Sequence, residues 1–196
     1  MKKFLQSETI KIILACLWFV LVAIPIGFMM GQHQAFKSYT KTTDLAIFKK
    51  NLTAKFTTLH LIGSDCLCSQ KLSDYLIQRK PLKAIEELIL IVGNNHLLKQ
   101  KFISAGFNVE EISPKLAASK YSIKALPQMI VYDERNTTLY SGGYTNKRAP
   151  ASSEDYDDLK IIEQVTHGYS QTERPVFGCA NGRDFRNKMD PIGIKY

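Results

Sequence analysis

The chain has 196 residues, room for one membrane segment and one globular domain. Apolar residues make up 45% and charged residues 22%, an ordinary balance that excludes wholesale disorder. The net charge of +8 comes from lysines scattered along the chain, which points to a solvated basic surface and not to nucleic acid.

Residues 1–11 form a short basic tail that includes Lys2, Lys3 and Lys11. From Ile12 to Met30 no residue is charged, and at about 1.5 Å rise per residue this run covers most of a bilayer's hydrocarbon core. Residues 12–31 are therefore expected to be a transmembrane anchor held in the lipid bilayer. A cleaved signal would have a shorter apolar region and a small-residue cleavage pattern, which Phe28-Met29-Met30-Gly31 lacks. Lysines flank both ends of the run, so their count does not orient it. The start Met1-Lys2-Lys3-Phe4 resembles a signal anchor. It places the N-terminus in the cytoplasm and the domain in the periplasm, on a single-pass inner-membrane protein. Residues 32–50 are polar and are expected to be a linker.

Residues 51–168 carry the alternation of a folded α/β domain. Lys55 to Ile62 is rich in β-branched and aromatic residues, as a buried strand is, and Gly63-Ser64-Asp65 ends it. A helix is expected from Cys68 to about Gln78, with Leu72, Tyr75 and Leu76 at helical spacing. Leu88 to Val92 is a continuous apolar run, the mark of a strand covered on both faces. A helix over 96–105 and a short strand over 109–112 follow. Ser113-Pro114 then opens another helix, with serine as cap and proline in the first turn. Two strands, 128–132 and 138–144, surround the polar turn Glu134-Arg135-Asn136, and Gly142-Gly143 is expected to form a bulge. Ser152 and Asp155 match a capping box, so the last helix is expected from there to about His167, with Leu159, Ile162 and Val165 facing inward. Residues 169–196 form an extension expected to pack on the domain.

Two segments of this pattern resemble landmarks of the thioredoxin superfamily. The first is Leu59-His60-Leu61-Ile62-Gly63-Ser64-Asp65-Cys66-Leu67-Cys68, a buried strand and turn leading to cysteines that open a helix. The second is Ile123-Lys124-Ala125-Leu126-Pro127-Gln128-Met129-Ile130, similar to the loop whose cis-proline faces the active cysteines. The resemblance spans roughly residues 52–167, and the wide separation of the two landmarks implies an inserted strand-helix unit, as in membrane-tethered bacterial redoxins. It implies a thioredoxin-like mixed sheet flanked by helices, preceded by one N-terminal transmembrane helix. It also implies that Cys66 and Cys68 are catalytic, that Leu126 and Pro127 bind substrate, and that His60 relays a proton. The sequence departs from the family in having CxC rather than CxxC, with Asp65 where an aromatic is usual.

A thiol exchanger needs a thiolate, and the N-terminus of a helix favours one. Cys66 is expected there as the attacking residue, with Cys68 as its resolver. Ungapped alignment instead puts Ser69 at the resolving position. Side chains two apart on a helix diverge, so a Cys66–Cys68 bond is strained. The alternative is a bridge from Cys179, the third thiol, to one of the two.

The leading expectation is a thiol–disulfide oxidoreductase without a cofactor, whose partners are cysteine-containing exported or membrane proteins. Two alternatives stand beside it. One is copper delivery, with Cys66 and Cys68 as ligands alongside His60, His167 or Cys179, since soft thiolates select Cu(I). The other is a catalytically silent subunit of a membrane complex.

Overall fold

The computed structural model describes residues 2–31, 35–36, 42–48, 54–148, 150 and 152–182. The chain divides into two compact units, Met1–Gln34 and Ala35–Tyr196.

The first unit is helix α1, Lys2–Gly31, which starts upstream of the apolar run. Its stretch Glu8–Ile26 is long and apolar enough to cross a membrane, and every side chain along it is exposed. Glu8 and Lys11 pair at 2.8 Å one turn apart, which offsets their charges at the start of the span.

The second unit is a five-stranded mixed sheet flanked by helices. In chain order it runs β1 (Phe56–Gly63), α2 (Leu67–Arg79), β2 (Glu86–Val92), α3 (His96–Ala105), β3 (Asn108–Ile112), α4 (Pro114–Ser119), β4 (Gln128–Asp133), β5 (Thr138–Gly142) and α5 (Asp158–Thr166). The strand order is β3-β2-β1-β4-β5. Strands β1, β2 and β3 are mutually parallel, while β4 pairs antiparallel with both β1 and β5. Strand β1 is central and changes from parallel to antiparallel company, so its C-terminal end opens at the point where α/β sheets place ligands.

Both faces of the sheet are covered, which explains the unbroken apolar runs of β1 and β2. Ile62, Ile89, Ile91, Met129 and Val131 meet Leu72 and Leu76 of α2, Phe102 of α3 and Ile161, Ile162 and Val165 of α5. Leu59, Leu61, Leu88, Leu90 and Tyr132 face the other way, against Ala117 of α4 and Leu45.

Three expectations change. Leu45 lies in the presumed linker, yet the short helical segment Thr42–Leu45 and the turn after it carry this side chain into the core. The capping box of Ser152 and Asp155 forms, but it closes only the 3-10 turn Ser153–Asp155, and α5 begins afresh at Asp158. That restart shifts the helix phase, so Ile161 is buried and Leu159 stays exposed. Gly142-Gly143 is not a bulge. The glycines let residues 174 and 175 pass, for a β-carbon on Gly143 would lie 2.2 Å from the Pro175 carbonyl oxygen.

Candidate functional site

Strand β1 ends at Gly63, where its backbone N–H donates to the Ser69 hydroxyl at 3.0 Å. Ser64 N–H continues the parallel ladder to the Val92 carbonyl at 3.0 Å, and Asp65 completes the turn. Cys66 is then the N-cap of α2, with extended backbone (φ −109°, ψ 119°), while its carbonyl accepts the first helical bond from Gln70 at 2.9 Å. No side chain caps this end. The N–H groups of the first turn and the positive end of the helix dipole therefore lie at Cys66 and favour its thiolate.

Cys66 is bonded to Cys179, with α-carbons 5.9 Å apart, inside the range a disulfide spans. Of the two arrangements open from the sequence, the structure holds the bridge to Cys179 and not the Cys66–Cys68 pair. Cys68, one residue into α2, points elsewhere. It is half-buried near Tyr156, whose hydroxyl is pushed up to about 12 by burial first and by Cys68 next. Ser69 is buried and tied to Gly63, so it holds the strand-to-helix turn together.

Pro127 follows a cis Leu126–Pro127 bond. The Leu126 carbonyl oxygen lies 3.7 Å from Cys66 Sγ. Leu126 also pairs antiparallel with Cys179, and Ala125 with Ala180. Asn181 extends this contact, its N–H donating to the Lys124 carbonyl at 2.7 Å and its amide to the Ile123 carbonyl at 2.9 Å. A cavity of about 250 Å³ opens beside the bond, lined by Ser64, Asp65, Cys66, Leu126, Cys179 and Asn181. The structure thus brings Cys66, Leu126, Pro127 and Cys179 together and leaves Cys68 and His60 out. The described part of the extension packs on the domain through buried Val176, Ala180 and Asn181. Arg183, Arg186 and Lys188 lie outside the described residues.

His60 is fully buried on β1 and engaged at both ring nitrogens. Nε2 lies 3.0 Å from Glu87 Oε1 and Nδ1 2.7 Å from the Tyr144 hydroxyl. An ionised carboxylate only accepts, so Nε2 carries the proton given to Glu87. Glu87 in turn receives Arg79 through two hydrogen bonds, at 2.7 and 3.1 Å. Arg79 Nε stands 3.2 Å from Asp158 Oδ2, and the Tyr75 hydroxyl donates to Asp158 Oδ1 at 2.8 Å. Burial alone would raise the Glu87 carboxyl, but the hydrogen bonds and charges of His60 and Arg79 outweigh it and hold it at about 2. These contacts make His60 part of a buried structural network, and among the described residues no hydrogen bond links it to either bridged cysteine.

For copper, Cys66 and Cys68 must converge with a histidine or with Cys179. Cys66 is bonded to Cys179, His60 is turned into the network, and His167 is exposed with Nδ1 donating to the Glu163 carbonyl at 2.7 Å. These donors do not form one set.

Arg79, Glu87 and Asp158 were missed from the sequence, as was Gly178, whose position under Leu126 is set by the fold. The signal for Gly178 was its place directly before Cys179.

No protein-family model matches the chain, and no curated protein matches it. Among solved structures it is similar to an uncharacterized conserved protein from Geobacillus kaustophilus, at 13% identity and a TM-score of 0.49, over 67% of this chain and 79% of that one. It is also similar to a hypothetical protein from Sinorhizobium meliloti 1021, at 14% identity and a TM-score of 0.47, over 76% and 92% of the respective chains. Neither likeness supports a functional inference.

Proposed function

We propose that this chain is a membrane-anchored, thioredoxin-like thiol–disulfide oxidoreductase, with Cys66 as its exchanging thiol and Cys179 as the resolver. The observation that carries this reading is the Cys66–Cys179 bond, set at an uncapped helix N-terminus beside the cis Leu126–Pro127 peptide. The mixed sheet with a helix opening at the end of its central strand agrees with the thioredoxin-like resemblance. An apolar N-terminal helix behind a basic start supports an inner-membrane anchor with the domain in the periplasm, where exported proteins carry disulfides.

The exchange runs in two steps. The Cys66 thiolate attacks one sulfur of a substrate disulfide, a Cys66–substrate bond forms, and the other substrate sulfur leaves as a thiolate. The Cys179 thiolate then attacks Cys66 Sγ, forming the bond described above and expelling the first substrate sulfur, which takes a proton from water. Two electrons pass from the cysteine pair to the substrate, and the reverse sequence oxidises a dithiol.

The test mixes the reduced full chain, in detergent micelles, with glutathione disulfide and traps the products with acid. Mass mapping is expected to find glutathione on Cys66 before the Cys66–Cys179 bond forms, and Cys66→Ser is expected to lose at least about tenfold in exchange rate. Exchange at Cys68 alone, or a bond inert to thiols as a silent subunit would have, contradicts the reading.

A further inference from the structure

The segment bonded to Cys66 has the form of a bound strand. Cys179 and Ala180 pair antiparallel with Leu126 and Ala125, and Asn181 continues the contact through the Lys124 and Ile123 carbonyls. Upstream, Val176 and Phe177 pair with Phe36 and Ala35, and the Gly143 N–H donates to the Arg174 carbonyl at 3.1 Å. The segment therefore crosses the mouth of the site as a strap, fastened on both sides of the cysteine. Directly before that cysteine, Gly178 lies so close to Leu126 that a β-carbon on it would sit 1.8 Å from the Leu126 carbonyl oxygen. Any side chain at this position collides with backbone that cannot swing aside.

We propose that residues 176–181 are a tethered stand-in for the substrate. The oxidised chain holds its own strand where an extended, cysteine-bearing polypeptide binds, and reduction of the Cys66–Cys179 bond releases it. The polypeptides the opened site accepts carry glycine immediately before the reacting cysteine. This rests on Cys66 being the exchanging thiol, as proposed above.

A dithiol reductant opens the strap. One of its thiolates attacks Cys179 Sγ, the Cys66–Cys179 bond breaks, and Cys66 leaves as a thiolate stabilised at the start of α2. The second thiol of the reductant, deprotonated, attacks its own sulfur in the mixed disulfide, and Cys179 leaves as a thiolate that takes up that proton. The reductant becomes a disulfide, and two electrons have entered the cysteine pair. After that the two-residue ladder, the Asn181 hydrogen bonds and the upstream pairing of Val176 and Phe177 hold the strap without a covalent bond. They compete with an incoming strand at the high local concentration of a tethered segment. When Cys179 later resolves the substrate disulfide, the strap returns to the same edge and displaces the product.

The test uses the full chain in micelles, with Cys16→Ser and Cys68→Ser so that labelling is confined to the site. Cys179→Ser is compared with Cys179→Ser plus Gly178→Val, which cannot seat the strap. Two probes react with Cys66: glutathione disulfide, and a synthetic peptide of residues 174–182 whose cysteine is a thiopyridyl disulfide. Lifting the strap is expected to speed the peptide reaction by about tenfold and to leave the glutathione reaction within about twofold. On either variant, the same peptide with valine before its cysteine is expected to react about tenfold more slowly than the glycine peptide. Equal rates for the two peptides, or strap-lifting that leaves the peptide rate unchanged or speeds both probes alike, overturn the proposal while glutathione exchange keeps the parent reading intact. Failure of both probes to react at Cys66 sinks the parent reading and this one with it.

Discussion

Arg79→Met is expected to destabilise the folded domain by about 3–5 kcal/mol, because it leaves charge buried without a partner. The Arg79 side chain is 8% exposed, and those of Glu87 and Asp158 are fully buried. Arg79 is the cation that both carboxylates face, and His60, Tyr75 and Tyr144 complete the hydrogen bonds around them. Methionine fills a similar volume, so the loss measures uncompensated charge more than a cavity. Urea denaturation followed by circular dichroism reads it out. Tryptophan fluorescence does not, since Trp18 belongs to α1.

The same substitution changes the response to acid. The Glu87 carboxyl is held at about 2, below the ordinary 4.5, so the folded state binds its proton less readily than the unfolded chain does. The stabilisation is therefore complete above pH 4.5, falls as the pH drops through the folded value near 2, and amounts to about 3 kcal/mol. Without Arg79 the folded value climbs toward the unfolded one, and the acid transition moves to higher pH. A transition that stays where the wild type has it contradicts this role for the pair.

Reducing the Cys66–Cys179 bond is the second large effect expected. The bond closes a loop across a separation of 113 residues, so on the chain-entropy estimate its removal destabilises the fold by about 4–5 kcal/mol. Dithiothreitol is expected to lower the urea midpoint of the wild type, and the unfolding free energy extrapolated from it by that amount. Cys179→Ser is expected to start from the lowered midpoint and to ignore the reductant. By linkage, whatever the bond adds to folding stability makes it correspondingly harder to reduce in the folded chain than in the unfolded one. A midpoint indifferent to reductant in the wild type contradicts both points.

Much of the scaffold was legible in the sequence because its signals are local. The β-branched run before Gly63, the apolar run Leu88–Val92 and the Ser113-Pro114 helix start each specify an element within a few residues. The start of α5 misled because Ser152 and Asp155 satisfy each other on a single 3-10 turn, a local pattern that does not say how far a helix continues. Leu45 carries no periodic neighbours, so only the space beside Leu59, Leu88 and Tyr132 explains its burial. The charges of Arg79, Glu87 and Asp158 look like solvated surface until three elements bring them together.

For the site, the helix start at Cys66 and the Leu126-Pro127 loop could be read, while the partner of Cys66 could not. Residues 66 and 68 are close in sequence but diverge at the head of α2, and sequence distance says nothing of how the extension returns to Leu126.

The exchanging pair is tested most directly by equilibrating the full chain, in micelles, across glutathione redox buffers and alkylating every free thiol for mass mapping. Cys66 and Cys179 are expected to become protected together in one two-electron transition, with Cys68 alkylated at every poise. Protection of Cys66 together with Cys68, or no change at Cys66 across the whole range, would contradict the assignment.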